Sequence, residues 1–310
     1  MTIDSLLRKF PSDFRLVLAD VGSAGGLHGR WKPLRPVVTG LLFEPRDDAS
    51  ETRRVGNDIV FPIGLGPEAG RSVLNITALA NMSSSLEPDA ERLASYAKKS
   101  DHTRIVDRVD MPVDRLDAVV QREGIAVDAI KVDTQGSELG ILQGAREALA
   151  TSVLMAEIEV SFFGRYRGQA LMWDIVEHMH GLGFELLDLS RLKRYRRKNS
   201  AGIGNLSLGA GQRAGRLAYG DALFFLREEV LEQRLAAATP ADAQAMVLKV
   251  VLGLLTYGKP DMAAHLFDRF GHHVAEPVHS GVADWFARIG RRWRGSGVLH
   301  HVLDYLARHV

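Results

Sequence analysis

Short apolar runs alternate with helical patterns from Arg15 onward, and this alternation constrains the fold more than any other feature of the sequence. Strands that alternate with helices pair in parallel and are covered by helices on both faces of the sheet. Only a short, loop-rich gap separates the last two runs, so the last strand is expected to be antiparallel. The runs predict strands over residues 16–19, 37–43, 59–63, 129–132, 153–158, 184–189 and 222–226.

The chain has 310 residues, and from Glu229 the pattern becomes wholly helical. Because a single core rarely grows past roughly 250 to 300 residues, one α/β domain with an appended module is expected. We predict an α/β domain over residues 1–228 and a helical C-terminal extension over 229–310. Residues 71–123 are predicted to form an insertion between the third and fourth strands, with a β-like stretch at 73–77.

Composition excludes several classes of function. The sequence has no Cys, so it has no disulfide, no thiolate nucleophile and no Cys-ligated metal, which suits a cytoplasmic protein. A formal net charge of +1, from 39 Lys and Arg against 38 Asp and Glu, excludes an overall electrostatic attraction to nucleic acid. Adjacent His residues, at 272–273 and 300–301, point to different faces of a helix, so no metal site is expected. No run is long enough to span a membrane, and the first ten residues lack a signal-peptide core.

A glycine-rich segment, Asp-Val-Gly-Ser-Ala-Gly-Gly at residues 20–26, follows the first strand. Glycines at the carboxyl end of a first parallel strand allow a tight turn and a close approach of a ligand. Their spacing differs from the Gly-x-Gly-x-x-Gly of dinucleotide sites, and the carboxylate would repel a pyrophosphate but attract an ammonium or a sulfonium. The predicted cofactor-binding residues of this segment are Asp20, Gly22, Ser23, Ala24 and Gly25.

Glu44 ends the second strand, 22 positions after Gly22. A carboxylate at this place can accept hydrogen bonds from both hydroxyls of a ribose, so the two motifs together predict an adenosine ligand without a pyrophosphate. Taken singly, Glu44 is equally compatible with a solvated turn before Pro45, and the glycine segment with a plain strand-to-helix turn.

The fourth strand ends in Ile-Lys-Val-Asp-Thr-Gln-Gly-Ser-Glu at residues 130–138, which brings Asp133 to the same edge of the sheet. With the glycine segment, Phe-Glu-Pro at 43–45 and Ser-Ser-Leu at 84–86, this run resembles the FkbM family of S-adenosylmethionine-dependent methyltransferases. The resemblance covers residues 16–226. The residues that match or replace the family pattern K-x-D-x-E-G-x-E and its following Gly-Ala are Lys131, Asp133, Gln135, Gly136, Glu138, Gly144 and Ala145.

Two departures from the family pattern stand out. Gln135 replaces the usual Glu, which removes a charge, and the third strand ends in Gly-Leu-Gly at residues 64–66 without an acidic residue for the adenine amine. Adenine is therefore expected to contact main-chain and apolar groups. The resemblance implies a class I methyltransferase fold with a Rossmann-like, doubly wound sheet, and S-adenosylmethionine as the cofactor.

The resemblance also implies methyl transfer to a hydroxyl of a glycan or a small metabolite. Such a reaction needs an in-line, desolvated hydroxyl and a carboxylate that removes its proton. Asp133 is the first candidate for a catalytic residue, with Glu138 in support. Asp133 could instead bind the amino group of the cofactor or cap the helix, and Glu138 could merely stabilise a first helical turn. Glu157 and Glu159 end the fifth strand, where alternation is expected to let only one side face the site, and the sequence does not choose between them.

A basic run, Arg-Leu-Lys-Arg-Tyr-Arg-Arg-Lys at residues 191–198, is predicted between the last two strands. It could bind phosphate groups on an acceptor, or nucleic acid, or simply form a solvated loop. The alternatives for the whole protein are an NAD-dependent oxidoreductase and a non-catalytic methyltransferase-fold scaffold.

Overall fold

The computed structural model describes residues 3–23, 26–46, 51–97, 99–203 and 214–295. The strands are β1 Leu16–Val21, β2 Val38–Phe43, β3 Arg53–Val55, β4 Asp58–Phe61, β5 Gly64–Leu65, β6 Gly70–Thr77, β7 Ile105–Asp114, β8 Ala129–Val132, β9 Met155–Ser161, β10 Phe184–Tyr195 and β11 Arg216–Leu226. The α-helices are α1 Ile3–Leu7, α2 Ala90–Ala94, α3 Lys99–His102, α4 Leu116–Glu123, α5 Glu138–Gln143, α6 Arg146–Thr151, α7 Met172–Gly181, α8 Glu228–Ala237, α9 Pro240–Thr256, α10 Pro260–Phe270 and α11 Val278–Gly295.

The main sheet has eight strands in the order β10-β11-β9-β8-β1-β2-β4-β3. Strands β4, β2, β1, β8 and β9 are parallel, whereas β11 is antiparallel to both β9 and β10. Every residue of β8 and β9 is buried, as expected for central strands covered on both faces. The predicted doubly wound, mostly parallel Rossmann-like sheet with an antiparallel last strand is therefore confirmed. From β1 the sheet continues to β2 on one side and to β8 on the other, so the strand order reverses between β1 and β8. Open α/β sheets bind ligands at such a point, beside the carboxyl ends of the strands.

The insertion forms a second, three-stranded sheet in the order β5-β7-β6. The sequence predicted the β-like stretch of β6 but not β7, because β7 alternates charged and apolar residues and is mostly exposed. After β6, the chain passes through a 3-10 helix, Ala80–Met82, which brings this segment to the carboxyl edge of the main sheet.

The basic run was predicted as a link between two strands, and for its first five residues this prediction is wrong. Strand β10 continues to Tyr195, and its partners on β11 include Tyr219 opposite Lys193 and Arg216 opposite Tyr195. The charged side chains give this segment no apolar pattern, but it forms a strand because it pairs with β11. Irregularities in the register occur on both sides of Lys193.

The chain forms two compact units. Within the described ranges, the first takes its residues from 15–203 and 215–231, and the second takes its residues from 3–14, 214 and 232–295. The first contains both sheets. The second contains α1 and the C-terminal helices, where α9 and α10 each begin with a Pro at the first turn, a favoured position. In α11, the Trp285 indole donates a hydrogen bond to Ser5 Oγ at 3.1 Å. No described helix is both long and apolar enough to cross a membrane.

Candidate functional site

A cavity of about 390 Å³ lies at the carboxyl edge of the main sheet. Gly22 after β1, Glu44 after β2 and Asp133 after β8 all line it. A second cavity of about 310 Å³ is lined by Asp20 and Ser23 and again by Gly22 and Asp133. The structure thus brings together the predicted cofactor-binding residues that it describes. Ala24 and Gly25 lie outside the described residues.

Main-chain contacts fix the three strand tips relative to one another. Gly22 N donates to Phe43 O at 3.0 Å, and Asp133 N donates to Val21 O at 3.1 Å. Gly22 has a φ of +82°, and a Cβ at this position would lie 2.3 Å from the main-chain oxygen of Asp133. Glycine is therefore required here both by its backbone conformation and by the close approach of β8.

Asp20 is buried and lies beside Lys131 in the register of β1 and β8. Its Oδ2 accepts a hydrogen bond from the main-chain N of His28 at 2.9 Å. Burial raises the pKa of Asp20, and the nearby charge of Lys131 opposes that effect. Asp20 lines the smaller cavity and does not line the larger one.

The carboxylate of Glu44 is held by Arg46, which the sequence analysis did not identify. Glu44 Oε1 accepts from the main-chain N of Arg46 at 2.9 Å and from its Nε at 3.0 Å, and Oε2 accepts from Nη2 at 3.2 Å. Arg46 Nη1 also donates to Ala80 O at 3.2 Å, which links this pair to the insertion. Both side chains line the larger cavity.

Asp133 belongs to a network of charged and amide groups on the floor of the cavity. Its Oδ1 accepts from Gln135 Nε2 at 3.1 Å, and its Oδ2 lies 3.6 Å from Lys131 Nζ. The same Gln135 amide donates to Glu159 Oε2 at 2.9 Å. Arg165 Nη1 donates to Gln135 Oε1 at 3.2 Å and Arg165 Nη2 forms an ion pair with Glu159. Gln135 therefore bridges two neighbouring carboxylates and a guanidinium.

Glu159 and Arg165 were missed as a pair because they lie on β9 and on the loop that follows it. Arg165 is fully buried, and its Nε donates to Ser161 Oγ at 3.2 Å. Burial raises the pKa of Glu159, and the adjacent charge of Arg165 opposes that effect.

Glu138 does not line either cavity. Its buried Oε1 accepts from the main-chain N of Gly136 at 2.9 Å, from that of Thr134 at 3.2 Å and from Thr134 Oγ1 at 3.3 Å. Burial raises its pKa. These contacts hold the loop that follows Asp133, so Glu138 supports the site by fixing a loop and does not reach the cavity itself.

The expectation that alternation separates Glu157 from Glu159 is wrong, because residues two apart on a strand share a face. Glu159 lines the larger cavity, whereas Glu157, two residues earlier on β9, does not. Glu157 Oε1 is 3.2 Å from Arg191 Nη2 and 3.6 Å from Arg30 Nη2.

Other parts of the cavity surface come from the insertion and from the β10–β11 hairpin. Arg191, Lys193 and Tyr195 are two residues apart from one another, and all three line the cavity. Side chains two apart on a strand share a face, so the spacing of these residues in the basic run could have identified them. Arg191 forms an ion pair with Asp221 of β11. Lys99 of α3 also lines the cavity, with its Nζ 4.1 Å from the centroid of the Tyr195 ring. No group of three or more metal-ligating side chains occurs in the described ranges.

One family model covers a region of the chain that contains Glu44, Asp133 and Glu159. The family model described as the methyltransferase FkbM domain matches residues 34–186. Among solved structures, the crystal structure of methyltransferase FkbM from Methylobacillus flagellatus KT is 14% identical, with a TM-score of 0.31, and the match covers 70% of this chain and 44% of that one. The chain thus spans less than half the length of that protein. No curated protein matches the chain.

Proposed function

From the premise that residues 34–186 belong to the methyltransferase FkbM family, we propose that this protein transfers a methyl group from S-adenosylmethionine to a hydroxyl of a glycan or a small metabolite. The observation that carries the proposal is the single cavity to which β1, β2 and β8 contribute Gly22, Glu44 and Asp133. The lack of Cys suits a reducing cytoplasm as the place of this reaction.

The residues of the two cavities fit S-adenosylmethionine. Position 22 admits no side chain, so a ligand can approach the main chain there. Glu44 would accept the ribose hydroxyls in exchange for its bonds to Arg46, and Ile63 with Leu65 offers apolar contact to adenine. The carboxylates of Asp20 and Asp133 suit an ammonium and a sulfonium, because opposite charges attract across a cavity from which water is partly excluded.

When bound, the cofactor supplies an already activated methyl group, so the protein has to position the acceptor hydroxyl and take up its proton. We assign the proton to Asp133, because its side chain is 32% exposed and faces the cavity. Lys131 and the Gln135 amide orient that carboxylate. Glu159 is less suited, since its side chain is only 5% exposed and forms an ion pair with the buried Arg165.

Calorimetric titration with S-adenosylmethionine, S-adenosylhomocysteine and NAD tests the cofactor. We expect the first two to bind and NAD not to bind, since Asp20 opposes a pyrophosphate. Binding of NAD alone would favour the oxidoreductase, and binding of none of the three would favour the scaffold.

The acceptor class requires a second experiment. The protein is incubated with methyl-labelled S-adenosylmethionine and with fractionated glycans, lipids, small metabolites and nucleic acids. We expect label on a hydroxyl in the glycan or the metabolite fraction. Label in nucleic acid, or on nitrogen, would overturn the acceptor assignment but leave the cofactor intact.

A further inference from the structure

The charged side chains of the larger cavity fall into two groups, those with an opposite charge beside them and those without. Each of the four carboxylates at its surface has a cation beside it, so the acidic side chains are already compensated within the protein. The pairs are Glu44 with Arg46, Asp133 with Lys131, Glu159 with Arg165 and Asp221 with Arg191.

Two lysines of the same cavity have no such partner. Lys99 from α3 and Lys193 from β10 both line it, and neither forms an ion pair with any carboxylate in the part of the chain that the structure describes. Lys99 is partly buried over the ring of Tyr195. Burial lowers its pKa, and the charge of Arg165 lowers it further. Lys193 is exposed, whereas the partly buried Lys99 ammonium lies over the Tyr195 ring, and a negative group of a ligand would stabilise it further.

These two lysines lie where the insertion and β10 line the cavity, and we call this surface the lysine wall. Lys99 contacts Tyr195, Lys193 precedes Tyr195 by two residues on the same strand, and the Tyr195 and Tyr219 rings meet edge to face at 6.1 Å. The proposed function assigns the cofactor contacts to other residues of the cavity, Gly22, Glu44 and Asp133 among them. The lysine wall is therefore available to the acceptor.

No other basic residue of the run 191–198 both lines the cavity and lacks a carboxylate beside it. Arg191 is held by Asp221 and Glu157, Arg194 Nη1 donates to Gly215 O at 3.1 Å, and Arg197 Nη1 donates to Ser95 Oγ at 3.3 Å. A clamp made by the whole run 191–198 is thus reduced to Lys193, joined by Lys99 from the insertion.

We propose that Lys99 and Lys193 form an anion subsite, and that the acceptor carries a carboxylate or a phosphate group near the hydroxyl that is methylated. The inference rests on the proposed function, because it assigns the lysine wall to the acceptor of that reaction. The negative group of the acceptor would then be the counter-charge beside Lys99 and Lys193.

The test is calorimetric titration of the full chain, saturated with S-adenosylhomocysteine, with glucuronate, glucose 6-phosphate and glucose. At least one anionic sugar is expected to bind at least about tenfold more tightly than glucose, since hydrogen bonds to charged groups are stronger than those between neutral groups. The two anionic sugars distinguish a carboxylate from a phosphate. Equal affinity for glucose, or binding of neither anionic sugar, overturns the proposal.

Two variants and a control locate the effect. Lys99→Gln and Lys193→Gln are each expected to weaken binding of the preferred anionic sugar about tenfold, whereas Lys198→Gln, which removes the same charge from the same basic run outside the cavity, leaves it unchanged. An equal loss in all three would indicate only general charge attraction and overturn the subsite.

Circular dichroism and the S-adenosylhomocysteine affinity of each variant serve as checks on folding. The same measurements separate the two proposals. Wild-type protein that does not bind S-adenosylhomocysteine contradicts the proposed function, and the sugars are then titrated without it. Normal cofactor binding without any preference for anionic sugars contradicts the subsite alone.

Discussion

Glu159 and Glu44 line the same cavity and are each paired with an arginine, but the two pairs differ in their surroundings. The side chains of Glu159 and Arg165 are 5% and 0% exposed, and Gln135 adds hydrogen bonds to both. The side chains of Glu44 and Arg46 are 12% and 34% exposed, and they lie at the rim, where solvent reaches the guanidinium.

This difference in exposure indicates in which pair the bonds between carboxylate and arginine can be replaced by bonds to a ligand. Arginine cannot lose its proton in a protein, so the buried Arg165 requires a permanent partner. An exposed ion pair contributes only about 0–1 kcal/mol, so the bonds between Arg46 and Glu44 can be replaced by ribose hydroxyls at little cost. The buried pair stabilises the floor of the site, and the rim pair leaves a replaceable contact.

The largest effect is expected from the buried pair. Glu159→Ala leaves the Arg165 guanidinium without its counter-charge, and we expect the free energy of unfolding to fall by about 3–5 kcal/mol in urea denaturation. Glu44→Ala is the matched control and is expected to cost less than about 1 kcal/mol. Equal losses in the two variants would abolish the distinction between buried and rim pairs.

Asp133 is intermediate, because it is partly exposed but belongs to the same network as Glu159. We expect Asp133→Asn to lower turnover about a hundredfold, since the amide cannot take up a proton. Affinity for S-adenosylhomocysteine, measured by calorimetry, is expected to change less than about threefold. A fall in affinity with unchanged turnover would instead make Asp133 a cofactor ligand.

A smaller effect is expected at the rim. Glu44→Ala is expected to weaken S-adenosylhomocysteine binding about tenfold, because the ribose loses a charged hydrogen-bond acceptor. Glu44→Gln keeps the shape and one acceptor oxygen, so its loss is expected to be smaller. Unchanged affinity in Glu44→Ala would show that the ribose lies elsewhere.

The smallest effect sharpens the comparison. Arg46→Ala removes the group that competes with the ribose, so cofactor affinity is expected to rise up to about fivefold, which corresponds to the contribution of an exposed ion pair. Titration at low and high salt checks the origin of the gain, because screening reduces it. A decrease in affinity would mean that Arg46 contacts the cofactor directly.

The sequence predicted the parallel sheet and the meeting of Gly22, Glu44 and Asp133, because buried strands and their ends leave a local signal in the order of residues. It did not predict the partners of these residues. Arg165 and Lys99 come from a loop and from the insertion, and no periodic pattern links them to the residues that they contact.

Gln135 shows how a residue can be noticed without its role being understood. The sequence indicated only a missing charge at this position. In the structure, its side chain donates to Asp133 and Glu159 and accepts from Arg165, in a left-handed backbone conformation with a φ of +62°. A Glu here would place a third carboxylate between two others, so the amide makes their close approach favourable.

The tight approach of β8 to Gly22 has a consequence for how such a site diversifies. A side chain at position 22 would push the main chain of Asp133 away, so the nucleoside half of the cavity offers little freedom for substitution. The part of the cavity built from the insertion and the β10–β11 hairpin is lined by side chains that can be exchanged without moving a strand tip. New acceptor preferences are therefore expected to arise by changes in that part of the cavity, while the donor half stays constant.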